Sequence, residues 1–331
     1  MAKVSVPLGI DARMLDAAVA GGGRPELSAF GAARAIATSL TSVVAAMRPE
    51  QWTKNLVVFA GVIFGRRLSD PRAVATSVAA FAVFCGLASV VYLINDVIDR
   101  ESDRRHPLKR HRPIASGALG VPFALSAAAV VGAVSIAAAF RLGVWFGAVA
   151  VAYVALFALY SGPLKRVVIA DVLSIAIGFV LRAIGGAVVI PVPISQWLLV
   201  CTILLALFLA LSKRRHELVL LADSATGHRA ILAEYSPYLL DQMIGVVTAS
   251  VVTAYIFYAI SPDTTEKFQT SLLGLTIPFP LYGIFRYLYL VHQKKAGGNP
   301  AAMLINDRPL LACVVLWVVA VVLIIYKPFG G

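Results

Sequence analysis

Ala88-Ser89-Val90-Val91-Tyr92-Leu93-Ile94-Asn95-Asp96-Val97-Ile98-Asp99-Arg100-Glu101-Ser102-Asp103 runs from an apolar segment straight into a group of acids. Residues 73–95 form an apolar run long enough to cross a bilayer, which takes about 20 residues of helix. Asp96, Asp99 and Asp103 fall at i, i+3 and i+7, so a continuing helix carries all three carboxylates on one face. Three stacked acids repel unless a cation lies between them. Mg²⁺ suits the place, because it takes hard oxygen ligands and completes its shell with water and phosphate. Asn95 adds a neutral amide. A solvated helix end, with the acids paired to Arg100, Arg104 and Arg105, is the competing reading. Position weighs against it, since ionisable groups at the edge of a membrane core are functional by default.

Outward from this stretch the chain keeps the same character. Of 331 residues 60% are hydrophobic and 14% charged, and mean hydropathy is +0.84, well beyond soluble domains. Nine apolar runs are candidate spans: 48–65, 73–95, 119–140, 142–160, 169–190, 195–212, 238–260, 271–291 and 309–326. The expected fold class is therefore an all-α, polytopic membrane protein of nine transmembrane helices. Residues 1–45 lack the pattern of a removable signal peptide and read as a cytoplasmic tail, with an interfacial helix around residues 27–46. Cys85, Cys201 and Cys313 lie inside apolar runs and read as small buried hydrophobes. The five histidines fall in expected loops without ligand spacing.

Net charge +12 raises nucleic acid as a partner. The basic residues are split among four short connections rather than forming one stripe, which argues against it. If the nine runs all span, one face of the membrane carries fifteen Lys and Arg and the other six. The positive-inside rule makes the rich face cytoplasmic, with the N-terminus on that side. The Asp96–Gly117 and Lys213–Ser236 stretches follow the second and sixth spans, which suggests two related halves. Pro278 and Pro280 fall inside the eighth run and should interrupt it.

Cations accompany the acids: Arg48, Lys54 with its neighbour Asn55, then Lys109, Arg110 and Arg112, then Lys165 and Arg166 after Tyr160, then Lys213, Arg214 and Arg215. Acids with cations are what a Mg²⁺-bridged polyphosphate site requires. Arg182 stands alone in mid-span and is expected to line a substrate pocket. Asp241 and Gln242 are weaker candidates.

Arg48-Pro49 with Lys54-Asn55, Asn95-Asp96-x-x-Asp99-x-x-x-Asp103 followed by Arg112-Pro113-Ile114-Ala115-Ser116-Gly117, and Tyr160 with Pro163-Leu164-Lys165-Arg166 together resemble the UbiA superfamily of intramembrane prenyltransferases. The resemblance covers the chain from about Arg48 onward. It implies nine helices around a central cavity open to the cytoplasm, with residues 46–331 as the catalytic domain. It also implies Mg²⁺ on Asp96, Asp99 and Asp103.

The family usually has a second acidic motif, Asp-x-x-x-Asp, after the sixth helix. Here that place reads Ser212-Lys213-Arg214-Arg215-His216-Glu217. Three cations suit a donor with an extra phosphate, and the substitution resembles the branch that moves phosphoribose onto decaprenyl phosphate in actinobacteria. That branch implies phosphoribosyl pyrophosphate as donor, a polyprenyl phosphate as acceptor, a plasma-membrane location and a product used for cell-wall arabinan. Arg48, Lys54, Asn55, Lys109, Arg112, Tyr160, Lys165, Arg166, Arg182, Lys213, Arg214 and Glu217 are the expected substrate contacts. A prenyltransferase acting on an aromatic acceptor and a transporter of an anionic lipid are the alternatives. Gly-rich Gly178 to Gly186 would permit close self-association with a second copy in a homo-oligomer.

Overall fold

The computed structural model describes residues 40–107, 109–221, 230–294, 298 and 300–326, and every regular element among them is helical. The expected tail lies outside the described residues except for a helix over 40–47. A leading segment follows, a 3-10 helix Pro49–Phe59 that passes into a short α-helix Ala60–Phe64. The long helices, numbered in chain order, are α1 (Pro71–Ile98), α2 (Val121–Leu142), α3 (Val144–Ser161), α4 (Ala170–Val188), α5 (Gln196–Leu221), α6 (Pro237–Ile260), α7 (Pro278–Gln293) and α8 (Arg308–Tyr326).

Among the described residues seven helices, α1 to α6 and α8, are long and apolar enough to cross a membrane. An eighth crossing results if Pro262–Phe268 and Leu272–Gln293, bent by 104°, count as one span. The all-α polytopic expectation therefore holds. The count of nine does not follow from the α-helices, because the 48–65 run is mostly 3-10 helix with only five α-helical residues.

Local chemistry sets the ends of these helices. Asp70 caps α1 by accepting from Arg72 N (3.0 Å) and Ala73 N (3.3 Å), with Pro71 in the first turn, a pairing that satisfies otherwise orphaned donors. Ser236 caps α6 in the same way before Pro237. In the eighth run a 3-10 turn, Leu272–Thr276, gives way to α-helix at Pro278. The expected interruption lies there, and Pro278 costs nothing at a helix start because its missing N–H has no partner to lose.

Two sequence expectations are corrected. The acidic run is not one helix: α1 ends at Ile98, Asp99 caps it, and a separate helix Arg100–Arg105 carries Asp103. The run after the sixth span is not a loop either, since α5 continues unbroken to Leu221 and holds residues 213–217 in its last turns. His216 and His292 accordingly sit on helices rather than in loops.

The leading segment packs against α1 and α4. Its contact with α4 is backbone on backbone: a Cβ at Gly186 would lie 2.0 Å from the Val58 carbonyl oxygen, and one at Gly61 would lie 2.4 Å from that of Gly186. Only glycine permits so close an approach. Trp52 donates to the Ser89 hydroxyl (3.1 Å) and ties the same segment to α1. These contacts set the height at which Lys54 and Asn55 meet α1 and α4. Phe84, Phe146 and Tyr153 fill the space below with edge-to-face rings.

Candidate active site

The polar end of α1 is centred on Asp96, which is 2% exposed. Its Oδ1 accepts from Arg48 and, at 3.3 Å, from Arg112. The same Arg112 nitrogen donates to Asp103 Oδ2 at 2.6 Å. Lys165 reaches Asp99 Oδ1 at 3.1 Å. Arg48 reaches the site because its backbone turns left-handed (φ 56) just before Pro49, and its guanidinium also lies 4.9 Å from the Tyr92 ring centre. The helix break at Asp99 thus leaves Asp96 and Asp103 on a shared cation rather than stacked on one face. Of the neighbouring arginines, Arg104 pairs with Glu101 (3.2 Å). The competing helix-end pairing is not what forms, because the three aspartates pair with Arg48, Arg112 and Lys165 rather than with Arg100, Arg104 or Arg105. Asn95 lies half-buried beside Asp96.

The end of α5 has the opposite polarity. Arg214, 3% exposed, donates from Nε to Asp171 Oδ2 (2.8 Å), from Nη1 to Glu217 Oε2 (2.6 Å) and from Nη2 to the Tyr160 hydroxyl (3.3 Å). Asp171, fully buried at the start of α4, takes the Tyr235 hydroxyl on its other oxygen (2.9 Å). That hydroxyl accepts from the Ile169 backbone N–H (2.8 Å). Burial, with the Asp171 carboxylate beside it, pushes the Tyr235 hydroxyl up to about 12. Lys213 lies 3.8 Å from Glu217, and Arg215 pairs with Asp241.

The last turn of α3 and the connection after it join the two ends, since Tyr160 touches Arg214 while Lys165 touches Asp99. His106 lies within electrostatic reach of Asp103, Arg112 and Glu217, and burial with nearby Lys109 holds its imidazole below the ordinary value. Lys109 opens a 3-10 turn beside it, and Arg166 is exposed.

Deeper in the bundle is a third polar group. Arg182, 4% exposed, donates to Asn55 Oδ1 (2.6 Å), the Gly178 carbonyl (2.9 Å) and the Tyr153 hydroxyl (2.7 Å). Its guanidinium lies 4.7 Å from the Tyr153 ring centre and 5.2 Å from that of Phe179. All three acceptors are neutral oxygens, so the positive charge stays uncompensated. Lys54 lies close enough to feel both Arg182 and Arg48. Such a concentration of like charge favours an anion in the space between them.

Asp171, Tyr235 and Tyr153 are functional-site residues that the sequence reading passes over. Asp171 had a usable signal, being a lone acid inside an apolar run, as Arg182 is a lone base. The tyrosines had none. A separate groove of about 500 Å³ between α6 and α7 is lined by Gly245, Thr248, Ala249, Leu281 and Phe285, with Asp241 and His292 at its polar end. Trp197 lines another cavity, of about 290 Å³, with Lys267 and Asp263.

Residues 55–306 match the UbiA prenyltransferase family. The chain belongs to that family. The matched segment takes in Asn55, the acidic run, Arg182 and the end of α5, while Arg48 and Lys54 lie just before it. Among curated relatives, a decaprenyl-phosphate phosphoribosyltransferase of Corynebacterium glutamicum is 33% identical over 86% of this chain and 86% of its own length. One of Mycobacterium tuberculosis is 33% identical over 86% of this chain and 94% of its own length. Among solved structures, a UbiA homolog from Archaeoglobus fulgidus bound to GPP and Mg²⁺ superposes with a TM-score of 0.66 at 17% identity, covering 86% of this chain and 99% of that one. At that identity the likeness concerns the fold.

Proposed function

We propose that this UbiA-family enzyme transfers 5-phosphoribose from phosphoribosyl pyrophosphate to decaprenyl phosphate, releasing diphosphate, at the cytoplasmic face of a bacterial plasma membrane. The observation that carries the reading is the cationic end of α5, where Lys213 and Arg214 stand in place of the acids usual in the family. A donor with a separate phosphate beside its diphosphate has a partner there that a prenyl diphosphate would not use. The likeness to phosphoribosyltransferases over most of the chain supports it.

Mg²⁺ fits the α1 end. Asp96 Oδ2 is buried without a hydrogen-bond partner, and a hard anionic oxygen left in that state suits a divalent cation. Among the described residues no three acids, histidines or cysteines stand close enough to bind a metal together. Asp96, Asp99 and Asp103 would hold the ion once Arg48, Arg112 and Lys165 move from the carboxylates to phosphate oxygens. Bound there, it would neutralise charge on the departing diphosphate.

In the reaction an acceptor phosphate oxygen forms a bond to ribose C1 as the C1–O bond to diphosphate breaks, and diphosphate leaves with the electron pair. The acceptor phosphate is already anionic near neutral pH, so no general base is needed. Lys54 and Arg182 attract the anionic groups into the bundle. Arg48, Arg112 and Lys165 hold the diphosphate, and Lys213 with Arg214 holds the far phosphate. The cations around the diphosphate stabilise the negative charge that builds on the leaving group while positive charge develops on the ribose.

We also infer nine crossings around a central cavity open to the cytoplasm, with the leading segment as the first. Eleven 3-10 residues at about 2.0 Å each and five α-helical ones at about 1.5 Å reach about 30 Å, the thickness of a bilayer core. The N-terminus would then be cytoplasmic. The deciding experiment is an assay on the purified full chain with phosphoribosyl pyrophosphate, decaprenyl phosphate and Mg²⁺. Diphosphate release with a lipid-linked phosphoribose, stopped by EDTA, is expected. Consumption of a prenyl diphosphate with an aromatic acceptor instead would overturn the reading.

A further inference from the structure

Arg214 has three partners of different standing. Asp171 is 0% exposed and Glu217 26% exposed, while Tyr160 is neutral. The buried side of the guanidinium is fixed by a closed chain: Ile169 N–H to the Tyr235 hydroxyl, that hydroxyl to Asp171, and Asp171 to Nε. Every oxygen and nitrogen in this chain has a partner. A carboxylate this deeply buried is costly unless it is paired and hydrogen-bonded, and Arg214 and the Tyr235 hydroxyl meet both needs here. The outer side, Nη1, is held by Glu217, which also lies near Lys213. A carboxylate bridging two cations at the edge of a site occupies the position an incoming dianionic phosphate would take.

We propose that Asp171, anchored by Tyr235, is a positioning residue that presets the Arg214 fork for a phosphate monoester, and that this phosphate displaces Glu217. The proposal rests on the phosphoribosyl reading above and assigns the donor's 5-phosphate to the end of α5. The diphosphate goes to the α1 end, where the acids suit a metal. The last turn of α3 and the connection after it touch both ends, through Tyr160 and Lys165, so the two clusters adjoin.

The test uses the full chain in detergent and two probes, ribose 5-phosphate alone and inorganic diphosphate with Mg²⁺. Asp171→Asn weakens ribose 5-phosphate binding by roughly 10- to 100-fold, the range for a charge-assisted hydrogen bond, and leaves diphosphate binding unchanged. In turnover it raises KM for phosphoribosyl pyrophosphate while kcat at saturation stays within a few-fold. Tyr235→Phe keeps the ion pair, so it folds, and gives the same pattern at a few-fold. Glu217→Gln removes the competing carboxylate and tightens ribose 5-phosphate binding. Equal loss of both probes, or a fall in kcat without a rise in KM, overturns the proposal. So does Glu217→Gln weakening ribose 5-phosphate. If Asp171→Asn fails to fold, the other two variants decide. Wild-type turnover of phosphoribosyl pyrophosphate with none of these effects sinks this inference alone. Wild-type protein that ignores ribose 5-phosphate and consumes a prenyl diphosphate sinks the functional reading beneath it.

Discussion

At the end of α1 a buried carboxylate sits at the centre and cations approach it from two other segments, whereas at the end of α5 a buried guanidinium sits at the centre and carboxylates approach it. Asp96 is held by Arg48 and Arg112. Arg214 is held by Asp171 and Glu217. Both ends balance their charge internally, yet they differ in what can leave. Around Asp96 the partners are 21% and 28% exposed, so the surrounding cations are the accessible members and the acid is the sealed one. Around Arg214 one partner, Asp171, is sealed and only Glu217 reaches the surface. Under the proposed function, this inverted polarity on two neighbouring helix ends would let one site accept a cation and its neighbour an anion.

The largest way to break this contrast is Asp96→Ala, which should lower turnover by about 10³-fold with little change in thermal stability, because Arg48 and Arg112 are exposed enough to reach water. Retention of near-normal rate by the purified variant would remove the metal assignment. Arg182→Lys comes next. The amine cannot reproduce the three-way fork to Asn55, Gly178 and Tyr153, so melting of the detergent-solubilised protein should show a loss of about 1–3 kcal/mol, together with lower activity. Unchanged stability would mean that Arg182 does not hold the leading segment to α4.

Gly186→Ala tests the scaffold that both ends share. Its Cβ would meet the Val58 carbonyl oxygen at 2.0 Å, and the forced separation should cost about 1–3 kcal/mol, read as a lower melting temperature. Lys165→Ala separates structure from binding. The pair with Asp99 is 22% and 33% exposed and is worth about 0–1 kcal/mol, so melting should barely move. A roughly tenfold loss of donor affinity is nevertheless expected if Lys165 passes to phosphate; equal affinity would return it to a purely structural pairing.

The smallest effect concerns a pair remote from both ends. Hydrogen bonds from Arg286 hold the Asp307 carboxyl below the usual carboxylate range. A group whose folded value is depressed contributes stability above its unfolded value and loses it as pH falls through the folded one. Asp307→Asn should therefore flatten the pH dependence of melting only below about pH 4. An effect near neutral pH would show a different cause.

Much of the candidate site was legible because the chain places its chemistry at helix ends. Asp96, Asp99, Asp103, Arg112, Lys165 and Arg214 were all named from spacing and position, and the structure brings them to two adjoining clusters. Spacing alone misjudged how they are presented. The i, i+3, i+7 pattern assumes one helix, and the break at Asp99 exchanges a carboxylate stack for a cation shared between Asp96 and Asp103. Lys213 to Glu217 read as a loop because charge ends a hydropathy run, although charged side chains do not end a helix. Asp171 stands out as a lone acid in an apolar run, but its role was not legible because its partners, Arg214 and Tyr235, lie 43 and 64 residues away.

By itself the sequence determined that this chain is a multi-pass membrane protein, that its helices are long and largely apolar, and that its acids and cations concentrate in a few short stretches between the apolar runs. Those are consequences of transfer energy and backbone hydrogen bonding, which act residue by residue. Only the tertiary structure decided which charges meet, which member of each pair is sealed and which is free to exchange. That outcome depends on the close contact at Gly186 and on the meeting of α3, α4 and α5, and long-range packing of this kind leaves no local signature in the order of residues.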